Sequence, residues 1–405
     1  MSELNKYKLG DLGFFFGGVT SIKKEDYGHG TPFLPYKNVY KNSKVDVNEL
    51  ELMNVRPLDL ERRNAIYGDI FFTASSETPD EVAMSSVLLD EVENLTFNGF
   101  CKRFRLNDFN TLLPEYARYL FRDVSFRREV YQLATGDIRF NISQESLANI
   151  EIEIPDVITQ KQLAEILTTL DDKIELLQQM NQTLENIAQT IFKEWCCVEE
   201  DIIPEGWSWK KLIDIADVSS SKRIFREEYK IGGIPFYRGK EVTQLSNGEA
   251  ISTELFISEE RYNQIKEKFG VPQIGDILIT SVGTIGSVWL VDNDSPFYFK
   301  DGNVTWVKDY KTVVNGEFVY EWLQTKETRE QIKSVTIGST QQALTISALR
   351  ELKILIPDTE TVSKVCNQLG KLNAKRINNL NQIQTLTQTR DILLSKLMSG
   401  QLEFK

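Results

Sequence analysis

Between Gln160 and Trp195 the chain carries neither Gly nor Pro. Apolar side chains fall at Leu163, Leu167, Leu170, Ile174, Leu177, Leu184, Ala188, Ile191 and Trp195, with Asn181 on the same line. The steps alternate between four and three, the narrow seam of a coiled coil rather than the broad stripe of a helix lying on a globular core. The pattern predicts one helix of about 36 residues, roughly 54 Å long at ~1.5 Å per residue. Shifted by 202 positions, a second seam runs through Val365, Leu369, Leu372, Ile383, Leu386, Leu393 and Leu397. Arg376, Asn379 and Arg390 interrupt it, and Ile377 with Leu380 suggest a local change of register. A Pro–Asp pair precedes each stretch (Pro155–Asp156 and Pro357–Asp358). Proline suits a helix start, and Asp156 or Thr159 can cap exposed N–H groups.

The remaining pattern is of short β-type runs, Asp69–Thr73, Ile150–Ile154, Asp276–Thr280 and Leu352–Ile356, parted by Gly-, Asn- and Ser-containing turns. Short amphipathic helices are predicted over 113–133 and 315–335. These segments repeat. IEIEIPDVITQKQLAEIL (150–167) returns as LKILIPDTETVSKVCNQL (352–369), and TGDIRFNISQESLANI (135–150) lies over IGSTQQALTISALREL (337–352). YGDIFFT (67–73) answers IGDILIT (274–280), and LPYKNV (34–39) answers IPFYRG (234–239). One fold used twice is the simplest account. The expected architecture is α+β: two similar mixed α/β domains, 1–155 and 201–357, separated by helical segments 156–200 and 358–405. To pack on the first helix the second must run back, giving an antiparallel coiled coil and an approximate two-fold relation. The pair then serves as a spacer between two similar domains.

Composition narrows the function classes. With 405 residues and 41% hydrophobic content, real cores are affordable and disorder is excluded. The single histidine, His29, rules out an HExxH zinc centre or a Cys2His2 finger. Four cysteines, two of them adjacent (Cys196, Cys197), form no framework and suggest reduced thiols in a cytoplasm. No 18-residue apolar run or signal-like start is present, so neither membrane spanning nor secretion is expected. There is no GxxxxGK(S/T) phosphate loop and no (N/D)PP(Y/F) amino-methyltransferase motif, and GTIGSV (283–288) lacks a third glycine and a following helix. A net charge of −12 argues at first against nucleic acid, yet 102–139 is locally basic, with eight cations against five anions.

Two similar domains on a rod, with no visible active site, suit a bipartite site on a repeating polymer. Duplex DNA presents the same face every turn, roughly 34–36 Å. The order of globular domain, I-x-I-P strand-to-helix junction, long helix, and the same again resembles the specificity (S) subunit of type I restriction–modification systems, over essentially the whole chain. The resemblance rests on IEIEIPDVITQKQLAEILTTLDDKIELLQQ and ILIPDTETVSKVCNQLGKLNAKRINNLNQ with the preceding TGDIRFNISQESL and IGSTQQALTISAL. Ser363 and Lys364 stand where that family usually has Glu or Gln. It implies two target recognition domains, each reading half of an asymmetric double-stranded DNA site, and spacer helices that bind two methyltransferase (M) subunits. Restriction/translocase (R) subunits would complete the assembly in a bacterial or archaeal cytoplasm. S-adenosylmethionine, ATP and Mg²⁺ would belong to those partners, with no cofactor, metal or catalytic residue in this chain.

Base edges and phosphates are read by Arg, Lys, Asn, Gln, Ser and Thr on loops. The candidates in the first domain are Lys37, Asn38, Ser75, Ser76, Arg139 and Asn141. The corresponding segments of the second offer Arg238, Lys240, Thr284, Ser339, Gln341 and Gln342, with Lys222, Arg223 and Arg226 for phosphates. Other features have structural readings. Phe14–Phe16 reads as a strand entering the core, Trp195, Trp207 and Trp209 as packing at a helix–domain junction, Cys196–Cys197 as inert, and His29 as a loop residue. Two alternatives remain: a duplicated coiled-coil scaffold for protein interaction without a DNA role, and an enzyme using Asp69 and Asp276 of the shared GD motif. In the latter case the competing reading is a turn before a strand.

Overall fold

The computed structural model describes residues 4–398 except 21, 137–138, 199–202, 250, 252, 312 and 339–341. The chain divides into two units, residues 1–175 with 384–405, and residues 176–383. Each unit holds one globular body, the first part of one long helix and the last part of the other.

In the first unit a four-stranded antiparallel sheet runs in the order Gly13–Gly17, Cys101–Leu106, Ile70–Thr73, Ser85–Val87. The strand Ile70–Thr73 is buried on both faces, which is why it reads as a continuous apolar run rather than an alternation. Ile70 and Phe72 join a core with the helices Pro114–Leu120 and Val124–Leu133, while Phe71 joins a second cluster with Leu34, Val39 and Phe97. A three-stranded sheet orders Glu51–Met53, Tyr27–Leu34, Thr96–Phe97. The ribbon Asn5–Lys8 with Glu151–Ile154 closes the body, turning Ile152 and Ile154 inward and leaving Glu151 beside Lys6 at 3.1 Å.

The second unit repeats this plan. Its four strands are ordered Asp217–Ser220, Val304–Lys308, Ile277–Thr280, Val288–Leu290, its three strands Phe256–Ile257, Ile234–Tyr237, Tyr298–Phe299, and its ribbon pairs Ser208–Lys211 with Lys353–Ile356. The correspondence extends to single hydrogen bonds. Leu9 N–H donates to Ile150 O and Leu212 N–H to Leu352 O, both at 3.0 Å. Gly68 N–H donates to Leu88 O and Gly275 N–H to Val291 O. Both glycines have positive φ (86° and 90°), the left-handed turn that feeds the central strand and favours glycine.

The long helices are Val157–Cys196 and Thr359–Met398, 40 residues each. Asp156 accepts from the N–H groups of Ile158 and Thr159, and Asp358 from that of Thr361, each at 3.0 Å. Within the first unit the helices run in opposite directions, with Leu163 and Leu167 in one core with Leu393 and Leu397, and Arg390 on Asp171 at 3.0 Å. Within the second unit Asn379 donates to Asn181 at 2.9 Å, and Ala188 shares a core with Leu369 and Leu372. Ile174 and Leu177 are buried, and Leu170, Leu184, Ile191, Ile383 and Leu386 are half-buried. Val365 is buried.

Several sequence expectations need correction. Asn379 and Arg390 do not interrupt the pairing; they make it, through polar contacts to the opposite helix. The first seam does not end at Trp195, which is exposed: Phe192 and Cys196 are buried instead, and Phe192 meets Phe318 edge-to-face at 5.0 Å. There the helix lies on a globular core, and four-residue spacing replaces the coiled-coil alternation. Trp209 is also exposed. Each expected amphipathic helix is two, broken at Asp123 and Thr325, whose side chains cap the following helix. In Gly13–Gly17 only Phe15 faces the core; Phe14 and Phe16 face outward. His29 lies in the strand Tyr27–Leu34 and is exposed.

Candidate nucleic-acid interface

One end of each four-stranded sheet gathers the loops that the sequence singled out. In the first unit the central strand ends at Thr73, whose hydroxyl accepts from Met84 N–H at 3.0 Å. The next residue, Ala74, donates to Phe100 O and accepts from Ile142 N–H. Ser75 and Ser76 pair with Asn141 and Phe140, and Tyr36 Oη donates to Ser75 O at 2.7 Å. Four segments far apart in sequence, Tyr36–Lys41, 74–84, 98–100 and 139–142, are thereby joined.

The second unit builds the same junction. Thr280 Oγ1 accepts from Ser287 N–H at 2.9 Å. Ser281 donates to Asn303 O and accepts from Leu344 N–H. Ala343 bridges to both Val282 and Ile337. Lys300 N–H donates to Tyr237 O, which brings the 300–303 loop beside Arg238. Gly302 N–H reaches Ser220 Oγ, placing the segment that begins at Ser221 at the same sheet end.

Most candidates lie at these junctions with exposed ends. Lys37, Arg139 and Asn141 are exposed, as are Lys240, Thr284 and Gln342. Asn141 Nδ2 donates to Arg139 O at 3.1 Å. Ser75 and Ser76 are half-buried, and Ser76 Oγ donates to Glu81 at 2.8 Å. Arg238 places its guanidinium on Glu241 at 2.8 Å, a bond that raises its affinity for the proton. Lys222 Nζ sits 4.5 Å from the Phe269 ring, and Arg223 and Arg226 are exposed, Arg223 being 3.9 Å from Asp301. Ser339 and Gln341 lie outside the described residues.

Asn38 is a correction. It is 1% exposed, and its amide both accepts from Asp46 N–H and donates to Asp46 O, so it fastens the turn behind the helix. The basic stretch 102–139 is a second one. Arg105 is bidentate on buried Asp69 at 2.7 and 2.6 Å, Arg103 holds the Asn64 carbonyl, and Arg118 pairs with Asp171. Arg122 donates to the carbonyls of Val39, Tyr40, Asn42 and Ser85, and Arg127 to those of Asp80, Val82 and Ala83. Five of the segment's eight cations therefore bind their own chain, and two of them lock the helix and loop of the junction. Sequence reading also missed Tyr36, Tyr40, Glu81 and Phe100, of which only Phe100, following an Asn–Gly pair, carried a local signal.

The carboxylates weighed for catalysis are occupied. Asp69 accepts from Ile66 N–H and Arg105, and Asp276 from Gln273 N–H and Trp306 Nε1, closing the turn before each central strand. Cys196 is buried and Cys197 exposed, and desolvation raises the thiol pKa of each, most for Cys196. No helix among the described residues is long and apolar enough to cross a membrane.

Comparison with known proteins bears on the family and the fold. The family model described as type I restriction modification DNA specificity domain matches residues 1–186 and again 204–394. The type I restriction enzyme MjaIX specificity subunit of Methanocaldococcus jannaschii is 28% identical, covering 98% of this chain and 92% of its own length. The HindI specificity subunit of Haemophilus influenzae is 22% identical over 99% of this chain and all of its own length. Among solved structures, a type I restriction–modification S subunit from M. genitalium superposes with a TM-score of 0.61 at 18% identity, covering 98% of this chain and 96% of that one, and shares its fold.

Proposed function

Since the chain belongs to the type I restriction modification DNA specificity family, we propose that each of its two bodies reads one half of an asymmetric, bipartite sequence in double-stranded DNA. In this reading the paired helices set the gap between the halves and dock two methyltransferase subunits. Each methyltransferase then acts on an adenine turned out of the duplex, using S-adenosylmethionine. Restriction subunits, with ATP and Mg²⁺, act on unmodified DNA. This chain contributes no bond-making step; its residues select and hold the sequence.

The observation that carries the reading is the junction built twice at one sheet end, from the same hydrogen bonds but with different exposed side chains. A shared frame with divergent tips suits recognition of two different half-sites. The test is sequence-dependent methylation by the complex of this chain with its methyltransferase subunit on randomised duplex DNA. Exchanging residues 207–355 for the corresponding segment of a relative is expected to change one half of the methylated sequence and leave the other intact. A change in both halves would overturn the modular reading, and partner binding without sequence-dependent methylation would favour the scaffold alternative.

A further inference from the structure

The two junctions differ in charge as well as in residue type. In the first body an open cleft of about 440 Å³ is bounded by Tyr36, Tyr40, Phe100, Glu77 and Arg139, with Glu81 between them. The rings of Tyr36 and Tyr40 are stacked, 6.3 Å apart and 12° from parallel, and Phe100 is 58% exposed. Tyr40 Oη donates to one oxygen of Glu81 at 2.7 Å and Ser76 Oγ to the other at 2.8 Å. Thr78 is a third donor to this carboxylate, which lines the cleft; its roughly four acceptor positions exceed those three donors. These hydrogen bonds, Tyr40 first, also hold the Glu81 carboxyl below its usual range and keep it ionised. The corresponding loop of the second body, SVGTIGS at 281–287, contains no acid; the acids nearby are Glu241, which holds the Arg238 guanidinium at 2.8 Å, and Asp301, next to Lys300.

A fixed anion in a cleft repels phosphate and attracts hydrogen-bond donors. In the major groove the donors are the exocyclic amino groups of cytosine and adenine, whereas guanine presents only acceptors there. We propose that Glu81 is a specificity-determining residue of the first body, accepting a hydrogen bond from the amino group of a cytosine or adenine in its half-site. The inference rests on the DNA-reading function above and assigns one residue to one chemical group.

The test uses the chain in complex with its methyltransferase subunit. The half-site read by the first body is identified by domain exchange. Each of its adenines other than the one that is methylated is then replaced by purine and each of its cytosines by pyrimidin-2-one, which removes the exocyclic amino group from the base. With the native chain one such replacement is expected to lower the methylation rate constant, kcat/KM, roughly 5- to 150-fold, the scale of a good base contact. With Glu81→Ala the same replacement is expected to cost less than about 2-fold, since the acceptor is already gone. Glu81→Gln, which keeps a partner for Tyr40 and Ser76, should give an intermediate penalty and carries the test if the alanine variant folds poorly. Discrimination in the other half-site should be unchanged throughout. If every penalty persists in both variants, Glu81 only braces Tyr40 and Ser76 and the proposal falls. If the native complex shows no sequence dependence at all, the proposed function itself fails.

Discussion

Position 119 of the first body corresponds to position 321 of the second, and the two show what burial demands of a polar side chain. Tyr119 Oη donates to Asp171 at 2.8 Å and meets Thr168 at 3.2 Å, so its polar atom is satisfied against the first long helix. Glu321 is also buried, but its Oε2 has no hydrogen-bond partner among the described residues. Burial, with Glu185 adding repulsion against the weaker pull of Arg376, raises its pKa to about 8. The unfolded chain gives up this proton near the ordinary glutamate value of about 4.3, while the folded chain keeps it to about 8. Between those values the native state binds the extra proton, so this group makes stability fall as pH rises and level off above the folded pKa. Thermal unfolding of the native chain followed from pH 5 to 9 should show that decline. Glu321→Gln should flatten it and raise the midpoint at pH 8 by several degrees, a shift of roughly 1–3 kcal/mol for removing a buried charge. An unchanged slope in the variant would show that another group titrates.

At the scale of elements, the long helices were the most legible part of the sequence, because a seam of 3–4 spacing and the Pro–Asp starts are local signals. The end of the first seam was not, since Phe192 and Cys196 are buried by Phe318 and its neighbours, more than a hundred residues away. The central strands were readable from their apolar runs and the GD turn ahead of each. The junction was legible only in part: the loops could be found by comparing the two copies, but the roles of side chains within them could not. Asn38 looked available and is consumed by Asp46, and the stretch 102–139 read only as locally basic while its Arg122 and Arg127 hold backbone carbonyls. The polar seam residues show the same dependence on partners, and the Asn181–Asn379 pair tests it. Asn379→Ala leaves Asn181 buried without its donor and should cost ~1–3 kcal/mol in urea unfolding. Replacing both by leucine should be neutral or stabilising, because no polar group is then left unmatched. A single variant as stable as the native chain would mean that water satisfies Asn181.

For the whole molecule, the net charge of −12 is spread unevenly: residues 1–200 hold 21 Lys/Arg against 33 Asp/Glu, and residues 201–405 hold 26 against 26. The self-paired arginines of 102–139 deepen the imbalance, because cations spent on carbonyls and buried aspartates are poorly placed to displace counterions from a phosphate backbone. Affinity for duplex DNA grows with the number of phosphates neutralised, each adding about 0.9 to the slope of log affinity against log salt. Base contacts add little to that slope, so affinity and selectivity can reside in different chains of one assembly. The chain alone is therefore expected to bind duplex DNA weakly, with a shallow slope of about −3 or less in magnitude. Its complex with methyltransferase subunits should bind more tightly and with a steeper slope. Mutation of exposed Lys240 or Arg226 should reduce that slope by roughly one, whereas Glu81→Gln should leave it unchanged and alter only which sequence is preferred. Binding titrations from 50 to 300 mM salt on matched and mismatched duplexes separate the two effects. A slope for the chain alone as steep as that of the complex would place the phosphate contacts here, and the acidic first half would then need a different explanation.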